Sequence, residues 1–123
     1  MSQDIVSDTL NKIMNAKKAN KTYIVSTRFS KLLIKVLDMM KQYGYIDYTL
    51  NEGVLRVEMK ELSICSSIKP RYTENTENME KYVRRFLPAR DYGYVIISTS
   101  KGLMTNNEAK ENNLGGSLIA YFY

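Results

Sequence analysis

Apolar positions along the chain keep two rhythms, and the change from one to the other marks out the elements. In residues 4–19, Val6, Leu10, Ile13 and Met14 recur at helical spacing and form one stripe. Asp4 and Asp8 near the start and Lys17 and Lys18 near the end suit the helix dipole. Residues 22–27, TYIVST, are short and rich in β-branched side chains and predict a strand. Ser30 is placed to cap a second helix that runs to about Tyr43. Leu33, Val36, Leu37 and Met40 face inward on it, and Gly44 stands just past its end. The period then becomes two. GYIDYTL leads into a turn at Asn51-Glu52-Gly53, after which Leu55, Val57 and Met59 alternate with Arg56, Glu58 and Lys60.

Serines, Pro70 and charges over residues 61–74 mark a boundary. Beyond it, residues 75–86 predict a short helix with Met79, Tyr82 and Val83 on one side, stopped by Pro88. YGYVIIS, 92–98, is a continuous apolar strand. Thr105 and Glu108 fit a capping box for a helix to about Asn113, with Gly115 and Gly116 allowing a sharp turn out of it. SLIAYFY, 117–123, is a further strand. The class is therefore α+β with two small lobes. Residues 1–64 form an α-β-α-β-β lobe, and residues 65–123 form a mostly β lobe with short helices.

Composition narrows the function. A hydrophobic share of 44% in 123 residues is enough for a folded core and argues against disorder. No apolar run approaches the roughly 20 residues of a membrane helix, so no membrane partner is expected. The polar, acidic start predicts no secretory signal. With no histidine and only Cys65, internal disulfides, His/Cys zinc sites and a Ser-His-Asp triad are excluded. No cofactor and no small-molecule substrate are expected. The net charge of +5 hints at an anionic partner. Its distribution says more: residues 9–37 hold Lys12, Lys17, Lys18, Lys21, Arg28, Lys31 and Lys35 without one Asp or Glu. An unmixed run of that length favours an anion-binding surface over a merely solvated one.

The stretch STSKGLMTNNEA, 98–109, concentrates the candidate chemistry. Ser98-Thr99-Ser100-Lys101 matches Ser-x-x-Lys, but acyl transfer needs that serine at the start of a helix, and the companion motifs are missing. Lys101-Gly102 is no phosphate loop, and Gly115-Gly116 lies at the wrong end of a helix dipole for an anion. Two readings stay open. Hydroxyls held at a strand end beside Lys101 suit the shallow minor groove of RNA. They equally suit the backbone groups of a tight turn. Tyr121 and Tyr123 share one strand face and can stack on bases, or serve a small protein-interaction module. Phe122 faces the other way and reads as core. Arg84, Arg85 and Arg90 fit phosphates or a surface network with Glu80 and Asp91.

The pattern as a whole resembles the universal small-subunit ribosomal protein eight family over about residues 3–123. STSKGLMTNNEAKENNLGG, 98–116, is similar to its C-terminal signature of Ser-Thr-Ser-x-Gly, Met-x-x-x-x-Ala and Gly-Gly. MNA at 14–16, SKL at 30–32 and GYI at 44–46 lie around it. IKPR at 68–71 and RRFLPARDYG at 84–93 look like the archaeal and eukaryotic branch. The resemblance implies a non-enzymatic cytoplasmic protein of the small subunit. Such a protein binds an irregular helix in the central domain of small-subunit rRNA and aids platform assembly, near proteins two and five. It implies an RNA-contacting loop at Ser98, Thr99, Ser100, Lys101 and Gly102, with Gly115 and Gly116 beside it. Asp4, Asn15, Lys31 and Arg71 match positions near RNA, and the basic Lys17 and Lys18 join them as candidate contacts. Bacterial members carry Glu after the two glycines. Ser117 stands there instead, so no carboxylate role is expected at that point.

Overall fold

The computed structural model describes residues 5–68, 73–88 and 92–123. Asp4, Pro70, Arg71, Ala89, Arg90 and Asp91 lie outside the described residues. Helices and antiparallel sheets form an α+β chain of two compact units, Met1–Cys65 and Ser66–Tyr123.

The first unit runs α1 (Ile5–Lys18), β1 (Tyr23–Ser26), α2 (Lys31–Gln42), β2 (Ile46–Asn51) and β3 (Val54–Met59). Helix α1 buries Val6, Leu10 and Ile13 as its stripe requires, together with Thr9 and Ala16, while Met14 sits at the margin. In α2 all four inward positions, Leu33, Val36, Leu37 and Met40, are buried. Each such side chain contributes about 2 kcal/mol. The Ser30 hydroxyl accepts the Leu33 amide at 3.2 Å and so caps the first turn. The C-terminal end closes on Gly44, φ 83°, where the Tyr45 amide donates to Met40 and that of Gly44 to Lys41, both at 3.0 Å. This is a Schellman exit, and α1 ends the same way through Asn20, φ 61°. The sheet order is β1-β3-β2. Asn51 pairs with Val54, so the turn is only Glu52-Gly53, with φ of 51° and 77°. Two successive positive φ values give the twist that a two-residue hairpin needs.

The second unit runs β4 (Cys65–Ser67), β5 (Thr73–Glu74), α3 (Thr76–Phe86), β6 (Tyr94–Thr99), β7 (Gly102–Thr105), α4 (Asn106–Glu111) and β8 (Gly116–Phe122). Strand β8 is its hub: the sheet order is β4-β8-β6-β7, and β5 also pairs with β8. Ile68, Met79, Leu87, Val95, Ile97, Met104, Ala109 and Leu118 form the core. Asn75 caps α3 by accepting the Asn78 amide at 3.0 Å, and Leu87 before Pro88 turns extended, ψ 139°. Thr105 caps α4, accepting the Glu108 amide at 3.2 Å while its hydroxyl meets the Glu108 carboxylate at 3.3 Å.

Three sequence expectations are corrected here. Strand β7 stands where the sequence shows only a loop. Helix α4 stops at Glu111, two residues short of Asn113. Its exit is Asn113 itself, φ 55°, with the Leu114 amide on Ala109 at 2.9 Å, so the sharp turn does not fall on Gly115-Gly116. Gly116 instead opens β8. A β-bulge between Ile96 and Ile97 leaves Ile119 as the extra residue of β8. Leu118, Ile119 and Ala120 are consequently buried in succession.

Candidate nucleic-acid interface

The stretch 98–102 is the tip of the β6–β7 hairpin. Thr99 pairs with Gly102, which leaves Ser100 and Lys101 exposed at the turn. Gly102 has φ 109°, a value that side chains strongly disfavour, so the glycine is what lets the chain re-enter the ladder. The Thr99 hydroxyl donates to the Gly102 carbonyl at 2.8 Å and accepts the Lys101 amide at 3.1 Å. The three hydroxyls therefore differ in their work. Thr99 builds the tip, Ser100 is offered to solvent, and half-buried Ser98 belongs to the sheet behind.

Ser98 is directly opposite Ser117, and Ser117 is directly opposite Thr73. Opposed residues of antiparallel strands share a face, so three strands line up three hydroxyls. Thr73 Oγ1 and Ser117 Oγ lie 2.9 Å apart. Beside this row is Gly116, where an added Cβ would sit 2.1 Å from the Ser98 carbonyl oxygen. The glycine is required for close approach of β8 to β6. The result is a shallow strip that can donate and accept hydrogen bonds, ended by the Lys101 cation. The fold thus brings 98–102 and 116 together across a ladder, with half-exposed Gly115 next to them. Thr73 and Ser117 were missed as partners of the strip. The β6–β8 register that sets Ser98 against Ser117 follows a bulge, and Thr73 meets Ser117 through the two-residue strand β5, which has no apolar pattern to announce it.

In the first unit the candidate cations divide. Asn15 and Lys18 are exposed and three residues apart, so they share a face of α1. Lys31, also exposed, opens α2 at the positive end of its dipole. Lys17 is different: its ammonium donates to the Leu62 carbonyl. Lys12 likewise donates to the Val25 carbonyl, at 2.6 Å. Both have backbone duties that charge counting does not reveal.

The rival chemistries find no footing. Ser98 and Lys101 belong to a hairpin, not to the helix that a Ser-x-x-Lys nucleophile needs. The Cys65 thiol is buried against the Leu10 carbonyl, and that burial pushes its pKa up to about 12, which leaves it unreactive. Among the described residues no His/Cys/Asp/Glu group could hold a metal ion, and no helix is long and apolar enough to cross a membrane.

Comparison with known proteins identifies the family. The sequence model of the family described as ribosomal protein S8 matches residues 4–123. The chain is 40% identical to the small ribosomal subunit protein uS8 of Nanoarchaeum equitans, with all of both chains covered. It is 39% identical to the uS8 protein of Thermoplasma acidophilum, again over all of both. It is 36% identical to that of Neurospora crassa, over 97% of this chain and 96% of the other. Archaeal and eukaryotic relatives together match the branch that IKPR and RRFLPARDYG suggest.

Proposed function

The chain belongs to the ribosomal protein S8 family, and from that premise we propose that its hydroxyl strip recognises ribosomal RNA. It is a structural, non-enzymatic component of the small subunit of the cytoplasmic ribosome and serves translation. Its target in this reading is an irregular helix of the central domain of small-subunit rRNA, and its task is to help the platform assemble. Small-subunit proteins two and five are its expected neighbours.

One observation carries the reading: Thr73, Ser117 and Ser98 align on one face behind the rigid Ser100-Lys101 tip. Small hydroxyls can approach the shallow minor groove of RNA, where larger side chains would be held off, and can hydrogen-bond 2′-hydroxyls there. Exposed lysines of the first unit, Lys18, Lys21 and Lys31, add attraction without direction. The test is a titration against the central-domain helix and a scrambled duplex of equal length, at two salt concentrations. Selective binding that survives the higher salt is expected. Weak, equal binding erased by salt would defeat the assignment.

A further inference from the structure

The sheet of the second unit has two ends. At one, Ser98 faces Ser117; at the other, Tyr94 faces Phe122. Four residues of strand separate them, roughly 14 Å. The far end carries a line of rings. Phe86 of α3 stacks with Tyr121 at 5.3 Å, Tyr121 with Tyr123 at 6.3 Å, and Tyr123 meets Tyr92 at 5.9 Å. The first three are partly buried against the core, whereas Tyr92 is 53% exposed.

Gly93 has φ 90°, and a Cβ there would sit 2.5 Å from both the Phe122 carbonyl oxygen and Tyr123 Cβ. The backbone is pressed onto β8 and holds the Tyr92 ring out, with Tyr123 behind it. The adjoining end of α3 is basic. Lys81, Arg84 and Arg85 are exposed; the Arg85 guanidinium lies 4.8 Å over the Tyr82 ring, and Arg84 is 3.6 Å from Glu80. Rings offered to bases beside cations offered to phosphates are what single-stranded nucleic acid is held by.

We propose that Tyr92, backed by Tyr123, is a stacking platform for an unpaired RNA base, with the basic end of α3 drawing in the backbone. The contact is separate from the hydroxyl strip, and it rests on the RNA-binding reading of this unit. Tyrosine and arginine also favour protein interfaces. The cations of α3 on a chain of net charge +5 favour RNA.

The test takes the full chain, the central-domain helix with its unpaired nucleotides, a fully paired version, and an oligoadenylate of about 12 nucleotides. Tyr92→Ala is expected to weaken binding to the native helix about tenfold, the scale of one lost base stack. Binding to the paired version should hardly change, and Tyr92→Phe should behave as wild type. The chain has no tryptophan, so Tyr92→Trp gives a single reporter whose fluorescence oligoadenylate should quench. Unaltered affinity of Tyr92→Ala for the native helix, or equal losses on both helices, would overturn the proposal and leave the ring to a protein partner or to the fold. Failure of the wild type to prefer the native helix over a scrambled duplex of equal length would instead sink the hydroxyl-strip reading. In that case the quench alone decides the platform: its presence supports stacking, its absence rejects it.

Discussion

The two units handle polar chemistry in opposite ways. The first carries its charge on the ends of long lysine side chains, several of them on helix faces open to solvent. The second carries hydroxyls that cannot wander, because each sits on a paired strand or inside a two-residue turn. A cation on a flexible stem attracts from a distance and tolerates many geometries. A hydroxyl on a strand gives nothing at a distance and a direction at contact. The division suits the proposed role, in which the protein is first drawn to an RNA and then discriminates it.

The sharpest way to break this contrast is through its glycines. Gly116→Ala places a methyl 2.1 Å from the Ser98 carbonyl, so a strand must move. A loss of about 3 kcal/mol in urea unfolding is expected, with loss of RNA selectivity. Gly44→Ala in the first unit meets nothing within 4 Å and suffers only from its φ of 83°, so about 1 kcal/mol is expected, with selectivity intact. Comparable losses for the two would remove the claim that Gly116 serves close approach.

Next in size is the strip itself. Replacing Ser98, Thr99 and Ser100 together with alanine should cost about 2 kcal/mol of cognate binding and far less on scrambled RNA. Smaller still are the lysines, which can sharpen the picture within the first unit. Lys18→Ala with Lys21→Ala should flatten the salt dependence of binding by about one to two units of slope. Lys17→Ala should barely alter that slope, yet cost about 1 kcal/mol of folding stability through the bond to Leu62. A slope change as large for Lys17 as for Lys18 would refute the split. The smallest effect concerns Cys65. With its pKa raised to about 12 by burial, the folded protein should resist iodoacetamide at pH 8 and react once urea unfolds the chain.

Much of this was legible in the residues. Helix α2 showed its cap, its four buried positions and its glycine exit, because each depends on neighbours in sequence. Strand β7 did not show. GLMT has one alternation at most, and the capping signal at Thr105 drew attention to the helix that follows. The exits at Asn20 and Asn113 were hidden because asparagine tolerates the left-handed region without advertising it as glycine does. Of the candidate contacts, the hydroxyls of 98–102 drew attention but left RNA contact and turn-building equally open, whereas the pairings of Thr73 and Ser98 with Ser117 depended on strand register. The duties of Lys12 and Lys17 lay 13 and 45 residues away from them along the chain. Such distant pairings leave no local trace.

The central place of β8 in its sheet has a consequence for the order in which this protein comes into being. The first unit is assembled from residues that precede Ser66 and has all its strands early in synthesis. The second has its β6–β7 hairpin by residue 105, but β4 and β5 wait for a partner, and β6 for its second neighbour, that begins at Gly116. A nascent chain that stops before β8 has the loop sequence without the sheet that stiffens it. Domains fold as units in the order of synthesis, so the basic first unit is ready first and the hydroxyl strip last. On the proposed reading, a truncated chain would be attracted to RNA without the means to tell one helix from another.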